Sequence, residues 1–248
     1  MATPTPEHAR LIRQLESTSE LSADDRAAIA ALPFRVKTVA EKRDIIREGG
    51  KPTESCLILE GFACRYKMLS SGRRQILSFH FPGDMPDLHS LHLRVMDHAL
   101  LSVTPVRAAF IPHDAVRAIM RARSGVGDAL GRHQMIDAAI YREWICNIGR
   151  RSAIERVAHL ICESFVRMRS VGLASAEGFE LPLTQTEIGD ATGLSNVHVN
   201  RTMKELRTLG LVKTNAKVHG ILNWDALQEV GDFDPTYLQL RGPGGLGE

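Results

Sequence analysis

The chain has 248 residues, of which 44% are hydrophobic and 24% charged, so it can form one large domain or two modest ones with cores of their own. Lysine and arginine number 31 against 29 aspartate and glutamate, and this net charge of +2 excludes a strongly basic coat and confines any charged patch to a local region. No apolar run reaches the roughly 18–20 residues that span a bilayer, and the first residues lack the pattern of a secretory signal, so we expect no membrane partner.

The four cysteines are scattered along the chain, at Cys56, Cys64, Cys146 and Cys162. None forms a Cys-x-x-Cys pair, and none stands with histidine at the spacing of a zinc site, so we expect neither a disulfide framework nor a metal. This usage predicts a reducing, cytoplasmic setting with mostly structural thiols. It leaves open whether any of the four senses redox state.

The first elements in chain order are helical. Apolar positions separated by polar and alanine residues predict helix over 7–32, and Ser22 followed by Asp25 resembles a helix start. The period then changes, because short apolar runs lie between glycines that recur every 11 residues. Strands at this spacing with glycine turns predict a β-roll or jelly-roll module over 36–111.

Residues 113–168 return to helical spacing. A short helix is expected to close at Ser124-Gly125, a long helix follows, and a further helix covers 153–168, ahead of a loop over 170–180. The long helix carries a stripe too apolar for a solvated helix, so it must cover the β-roll, a partner helix or both. The stripe consists of Leu130, Ile136, Ile140, Trp144 and Ile148.

Residues 183–206 fit a helix-turn-helix. Thr184 can cap a first helix, with Glu187 three residues on as in a capping box. Gly193 lies at the turn, where a positive φ is needed, and Ser195 can cap a second helix. The inner face of that second helix would consist of Val199, Thr202, Met203 and Leu206.

The outer face of the second helix indicates DNA binding. Side chains near the N-terminal end of a recognition helix reach base edges in the major groove, where arginine pairs with guanine and asparagine with adenine. The region from 195 to 220 has five lysine or arginine residues against one acid, whereas 223–248 has five acids against one arginine. The predicted DNA contacts are Thr184, Gln185, Ser195, Asn196, Val197, His198, Asn200, Arg201 and Lys217.

Two strands follow the second helix. The runs 211–214 and 217–222 flank a short turn at Asn215-Ala216, which predicts a wing. Lys213, Lys217 and His219 would meet phosphates there, which position a protein on DNA without specifying the sequence.

With its β-roll, long helix and winged helix-turn-helix in this order, and the motif Phe81-Pro82-Gly83-Asp84, the chain resembles the Crp/Fnr family of bacterial transcription regulators over residues 30–225. The resemblance implies an α+β fold: a jelly-roll-like sensor (1–123), a central dimerisation helix (124–149), the DNA-binding domain (150–230) and a flexible tail (231–248). It also implies a cytoplasmic homodimer that pairs through the stripe of the long helix.

The effector region departs from the family's cyclic-AMP-binding members. A gapless comparison places Leu88 at their ribose-binding Glu, and His98 and Ala99 at their phosphate-binding Arg and Ser. A cyclic phosphate without a guanidinium partner would be an unpaired buried charge, so we expect no cyclic AMP binding of the usual kind. The alternative is a regulator without any small-molecule effector.

Other cofactors and partners follow from the same resemblance. Residues 1–55 lack the cysteines of the iron–sulfur members, so we expect no such cluster. Haem stays open because His80, His89, His92 and His98 lie in the pocket region, and the spacing His89-x-x-His92 suggests that these two histidines face the same way on a helical turn. RNA polymerase is an expected partner, with a candidate surface formed by Arg65, Lys67, Arg73 and Arg74. Catalytic motifs are missing, so we expect no enzyme.

Overall fold

The structure, a computed structural model, describes residues 5–175, 178–215 and 218–241. The chain divides into two compact units. The first contains the described residues up to 67 together with 78–138, and the second contains 68–77 and the described residues from 139 onward. Among the described residues, none of the helices combines the length and the hydropathy needed to cross a membrane.

The first unit is built on two antiparallel sheets with short helices. Its helices are α1 (Pro6–Glu16), α2 (Ala23–Ile29), α3 (His113–Ala122), a 3₁₀ turn (Leu88–Leu91) and the first half of α4 (Ser124–Arg150). Its strands are β1 (Arg35–Val39), β2 (Asp44–Ile46), β3 (Glu54–Glu60), β4 (Ala63–Met68), β5 (Arg74–His80), β6 (Ala99–Ser102) and β7 (Val106–Pro112). Met68 of β4 and residues 74–77 of β5 are counted with the second unit. The sheets have the strand orders β1-β7-β3 and β2-β6-β4-β5.

The N-terminal segment forms two helices rather than one continuous stretch. Ser22 caps α2 as expected, because its hydroxyl accepts from the Asp25 N–H and the Asp25 carboxylate accepts from the Ser22 N–H at 3.1 Å. Leu15 and Ile29 of the two helices enter the same core as Leu57 of β3. Burying a side chain of this size contributes about 1.5–3 kcal/mol, so the helices are integral to this unit.

The junction of α3 and α4 differs from the prediction. We expected Ser124-Gly125 to close the short helix, but Arg123 ends α3 in an extended conformation and Ser124 begins α4. The Arg123 side chain is held by Asp25, with Nε donating to Oδ1 at 3.2 Å. Gly125 allows this approach, because a Cβ at this position would lie 2.6 Å from the Asp25 carboxylate.

The second unit consists of helices around a small sheet. Its elements include the second half of α4, then α5 (Ala153–Ser170), β8 (Ala174–Ser175), β9 (Gly178–Glu180), α6 (Gln185–Thr192), α7 (Asn196–Thr208), β10 (Val212–Asn215), β11 (Val218–Ile221), α8 (Trp224–Val230) and a second 3₁₀ turn (Pro235–Leu238). The sheet order is β10-β11-β9-β8. The loop predicted over 170–180 therefore contains two short strands, one of which pairs with the wing.

The C-terminal segment is ordered further than its composition suggests. The flexible tail expected from residue 231 does not begin there, because Phe233 and Leu238 are buried. The Tyr237 hydroxyl donates to Glu163 of α5 at 2.8 Å. Residues 242–248 of the predicted tail lie outside the described residues.

Candidate DNA-binding surface and effector region

The start of α6 has the capping arrangement predicted from the sequence. The Thr184 hydroxyl accepts from the Glu187 N–H at 3.2 Å, and the Glu187 carboxylate accepts from the Thr184 N–H at 2.7 Å. These bonds satisfy donors that a helix start otherwise leaves free. Thr184 and Gln185 are both exposed at this end of α6.

The turn between α6 and α7 depends on two glycines. Gly193 has a φ of +71°, in the left-handed region that a side chain disfavours. A Cβ at Gly189 would lie 2.5 Å from the carbonyl oxygen of Leu194, so only glycine allows the helix to approach this turn so closely. The two helices are thereby fixed as a hairpin.

The second helix, α7, presents its inner face to the core and its outer face to solvent. Ser195 caps it, with its hydroxyl accepting from the His198 N–H at 3.4 Å. Because this cap and the inner apolar face are both fixed, the outward side chains are held on a rigid element. The buried inner residues are Val199, Thr202, Met203 and Leu206.

The outer face of α7 contains the polar residues expected to contact DNA. Val197 is 78% exposed, and Asn200 and Arg201 are exposed beside it. Asn196 donates to the Thr186 hydroxyl at 3.1 Å, and His198 Nδ1 lies 3.0 Å from the Ser195 hydroxyl.

Unlike Asn196 and His198, Arg201 has a side chain without a local partner among the described residues. Within the described part of the chain its side chain has neither a hydrogen bond nor an ion pair, so the guanidinium is available to a ligand.

The wing follows α7 directly. Strands β10 and β11 pair antiparallel, with Val212 opposite Ile221. Lys213 is exposed on β10, whereas the predicted DNA contact Lys217 lies outside the described residues.

The basic surface suggested for RNA polymerase does not exist as one patch. Arg65 is fully buried, so its assignment to this surface is wrong. Arg74 is held by an ion pair with Asp190 of α6 at 2.8 Å, and Lys67 lies 3.3 Å from Glu48. Only Arg73 among the four lacks an acidic partner in the described residues.

Arg65 instead anchors the interior of the first unit. Its Nη1 donates to Asp137 of α4 at 2.7 Å, and its Nε donates to the carbonyl oxygen of Pro86 at 2.7 Å. Burial alone would raise the pKa of Asp137, but the adjacent Arg65 guanidinium holds it below its usual value. The sequence offered no signal for this pair, because its members are 72 residues apart.

The predicted effector residues are buried. Leu88 is 4% exposed and belongs to the same core as Leu57 and Ile111. His98 and Ala99 are also buried, and β6 begins at Ala99. At these three positions the chain therefore offers neither a carboxylate nor a guanidinium to a cyclic nucleotide.

The apolar stripe of α4 is largely occupied within one chain. Leu130, Ile136, Ile140 and Trp144 are buried, and Ile148 is half-buried. The periodicity shows that this face is covered but does not show by what, and the single chain already covers most of it.

A different line of α4 residues faces solvent. Met135 is 65% exposed and Ile145 is 72% exposed, and Cys146 is also exposed.

The other three cysteines are buried, and burial raises the pKa of the Cys56 and Cys162 thiols.

The fold and the α7 surface together define a class: a regulator in which a winged helix-turn-helix is joined to a β-roll. Two protein-family models match these parts of the chain. The "cyclic nucleotide-binding domain" matches residues 36–123, and the "Crp-like helix-turn-helix domain" matches residues 155–230.

Known proteins with the same organisation align along most of the chain. The chain is 26% identical over 193 residues to the transcriptional activator protein FnrL of Cereibacter sphaeroides, and the alignment covers 76% of this chain and 77% of FnrL. It is 30% identical over 165 residues to the nitrogen fixation regulation protein FixK of Bradyrhizobium diazoefficiens, covering 66% of each. The solved structure of FixK2 from Bradyrhizobium japonicum shares the fold, with a TM-score of 0.73 at 24% identity over 80% of this chain and 98% of that one.

The chain belongs to the Crp/Fnr family. It is a DNA-binding transcription regulator and not an enzyme. The predicted α+β fold, with an N-terminal β-domain, long helices and a C-terminal helix-turn-helix, is confirmed.

Proposed function

We propose that the chain binds double-stranded DNA as a homodimer, with α7 of each copy in the major groove. The observation that carries this proposal is the outer face of α7, where Arg201 is exposed without a partner in the described residues. Two recognition helices related by two-fold symmetry would enter grooves about 34 Å apart on a near-palindromic site.

Each predicted contact has a distinct chemical role in this proposal. Arg201 pairs with guanine, Asn200 with adenine, and the exposed Val197 contacts a thymine methyl group. Asn196 and His198 reach polar base edges or phosphates after exchanging their local hydrogen bonds. The remaining contacts, at helix starts and in the wing, bind phosphates: Thr184, Gln185, Ser195 and Lys217.

We propose that the dimer forms along the exposed face of α4. Met135 and Ile145 are large hydrophobic side chains in solvent on a single helix. They are ten residues apart, and Gly131, Ala138 and Gly149 each lie three or four residues from one of them. Small residues at such positions let two helices approach closely. Of the stripe predicted from sequence, the half-buried Ile148 is the residue left with surface to contribute.

The sensor function takes a form other than ordinary cyclic AMP binding. Leu88 packs in the core, and neither His98 nor Ala99 can replace a guanidinium. The same packing favours a second candidate, a regulator without any small-molecule effector. An iron–sulfur cluster is disfavoured because it needs several thiolates together, and no three cysteines meet around one point among the described residues. Haem stays testable, since a Soret band in the purified protein would reveal it.

Two further assignments complete the proposal. We place the protein in the cytoplasm, where a DNA-binding regulator acts. We also propose RNA polymerase as a partner, since relatives are transcriptional activators. Its contact surface differs from the patch expected from sequence, because Arg65 of that patch is buried.

The DNA-binding proposal is tested by the affinity for an operator selected from a random pool. We expect Arg201→Ala to weaken binding by about 1–3 kcal/mol, or roughly 5- to 150-fold, because one base contact is lost. Fluorescence anisotropy at fixed salt measures the change. Arg121→Ala, which removes an exposed arginine of α3, is the matched control and should bind as the wild type does. Unchanged binding by Arg201→Ala contradicts the proposed recognition helix.

The dimer is tested by placing a charge on the exposed face of α4. Ile145→Asp should shift the protein from dimer to monomer in sedimentation experiments, because two carboxylates would meet at the two-fold axis. Leu93→Asp is the control, since Leu93 is an exposed hydrophobic residue outside α4. A dimer that survives Ile145→Asp with unchanged affinity rules out this face.

A further inference from the structure

Three potential metal ligands meet beside the start of β6. His89 lies in the first 3₁₀ turn, and Asp97 and His98 directly precede the strand. One ligand atom from each of the three lies within 4.8 Å of those of the other two, and the two imidazole rings are 5.1 Å apart between centroids. The 3₁₀ turn and the strand therefore bring together residues that are separated along the chain.

The cluster has unused binding capacity. His98 is only 5% exposed, yet its Nε2 has no hydrogen-bond partner within the described residues. The Nε2 of His89 is also buried and equally unpaired there. A buried polar atom without a partner costs about 1–3 kcal/mol, so two adjacent ones are unusual unless a ligand occupies the space between them.

Asp97 determines which nitrogen of His98 carries its proton. The Nδ1 of His98 donates to Asp97 Oδ1 at 2.8 Å. An ionised carboxylate only accepts hydrogen bonds, so the proton lies on Nδ1 and the lone pair on Nε2. Metal-binding histidines commonly have this arrangement, with a carboxylate orienting the ring through the other nitrogen.

The charges around the cluster also suit a cation. Asp97 contributes a negative charge to the cluster, and the nearby Arg65 is paired with Asp137.

We propose that His89, Asp97 and His98 form a binding site for one first-row divalent transition-metal ion, such as Zn²⁺. The two Nε2 atoms are the ligands, and Asp97 orients His98 and supplies charge. Imidazole nitrogens favour zinc, nickel, copper and iron over magnesium and calcium, which prefer oxygen. The Asp97 side chain is 70% exposed, so the site has an opening to solvent.

The proposed metal site does not depend on DNA binding. The sequence pattern pointed to a different histidine as the neighbour of His89. The spacing His89-x-x-His92 suggested that these two histidines share a face of a helical turn. In the structure His92 is exposed, and His98 is the residue beside His89. His92 therefore provides a matched control for both ligands.

The experiment titrates Zn²⁺ into the full chain after removal of metals with a chelator. Competition with a chromophoric chelator gives the affinity, and Co²⁺ absorption reports the ligand type. We expect one ion per chain for the wild type and for His92→Gln. His89→Gln and His98→Gln should each lose at least tenfold in affinity, and Asp97→Asn should lose about 10- to 100-fold.

Thermal unfolding distinguishes a variant that has lost a metal ligand from one that fails to fold. Zn²⁺ should raise the melting temperature of the wild type, because an ion bound only to the folded state stabilises it, and should not raise that of His98→Gln. A wild type that binds no ion, or two ligand variants that bind Zn²⁺ as tightly as His92→Gln does, overturns the proposal. Neither result bears on Arg201 and the operator.

Discussion

Two buried polar clusters, one in each unit, differ in how completely their hydrogen bonds are formed. In the second unit, Glu163 of α5 is 1% exposed and uses both carboxylate oxygens. Trp144 Nε1 donates to them at 3.1 and 3.2 Å, Arg167 donates to Oε1 at 3.2 Å, and Tyr237 donates to Oε2 at 2.8 Å. In the first unit, His89 and His98 each keep a buried nitrogen without a partner in the described residues.

The difference separates a structural cluster from a binding cluster. A charge buried with all its partners stabilises the positions of the elements that supply them, here α4, α5 and the C-terminal 3₁₀ turn. A buried cluster with unused lone pairs costs free energy until a ligand arrives. Burial and polarity alone therefore do not identify a site, whereas adjacent potential metal ligands with unused lone pairs point to one.

The largest effect is expected where the complete cluster is broken. Glu163→Ala leaves three donors without an acceptor and Arg167 without its ion-pair partner, so it should reduce the free energy of unfolding by about 3–5 kcal/mol. Both tryptophans, Trp144 and Trp224, lie in the second unit, so tryptophan fluorescence during urea unfolding reports on that unit. Glu229→Gln, at an exposed glutamate of α8, should leave stability unchanged. A loss below about 1 kcal/mol for Glu163→Ala contradicts the structural role.

A smaller effect is expected from pH in the first unit. Burial lowers the pKa of His80 to about 4, and the Arg65 charge acts in the same direction. The unfolded chain binds a proton here near pH 6.5 but the folded chain does not, so stability is present above pH 6.5 and is lost as pH falls towards 4. A shift of this size corresponds to roughly 3 kcal/mol.

Asp87 opposes this trend, so the His80 contribution is measured as a difference. Burial raises the pKa of Asp87 to about 7, so the folded state binds a proton there between about pH 4 and 7 and gains stability as pH falls. Thermal unfolding of the wild type and of His80→Gln over pH 4–7 separates the two groups. The stability of the wild type relative to the variant should fall as the pH is lowered from 7 to 4, and parallel curves would contradict the assignment.

The smallest effect should come from the incomplete cluster in the absence of metal. The one hydrogen bond of His98 goes to an exposed carboxylate, and such pairs contribute little. His98→Gln should therefore change the free energy of unfolding of the metal-free protein by about 1 kcal/mol or less. Chemical denaturation in the presence of chelator checks this. A loss as large as that of Glu163→Ala would mean that the histidine cluster is structural.

The helix caps and the turn of the helix-turn-helix could be predicted from the sequence. The caps at Thr184 and Ser195 and the turn at Gly193 lie where residue type and spacing placed them, because caps and turns depend on neighbours a few residues away. The two-residue strand β8 was missed because so short a segment has no period to detect.

Long-range pairing decided what the sequence left hidden. Nothing near Arg65 distinguishes it from a surface arginine, and only the fold brings Asp137 to it. The apolar stripe correctly predicted which face of α4 is buried. It did not predict what covers that face, because the periodicity is the same for a helix covered by its own chain and for one covered by a partner. His89 and His98 likewise meet only because the 3₁₀ turn and β6 are neighbours in space.

Whether the outer face of α7 reads base sequence is measured most directly by the consensus selected from random DNA by the wild type and by Arg201→Ala. We expect a two-fold symmetric wild-type consensus in which one base pair per half-site loses its preference in the variant, while the other positions keep theirs. An identical consensus for both proteins, or no consensus for the wild type, would contradict it.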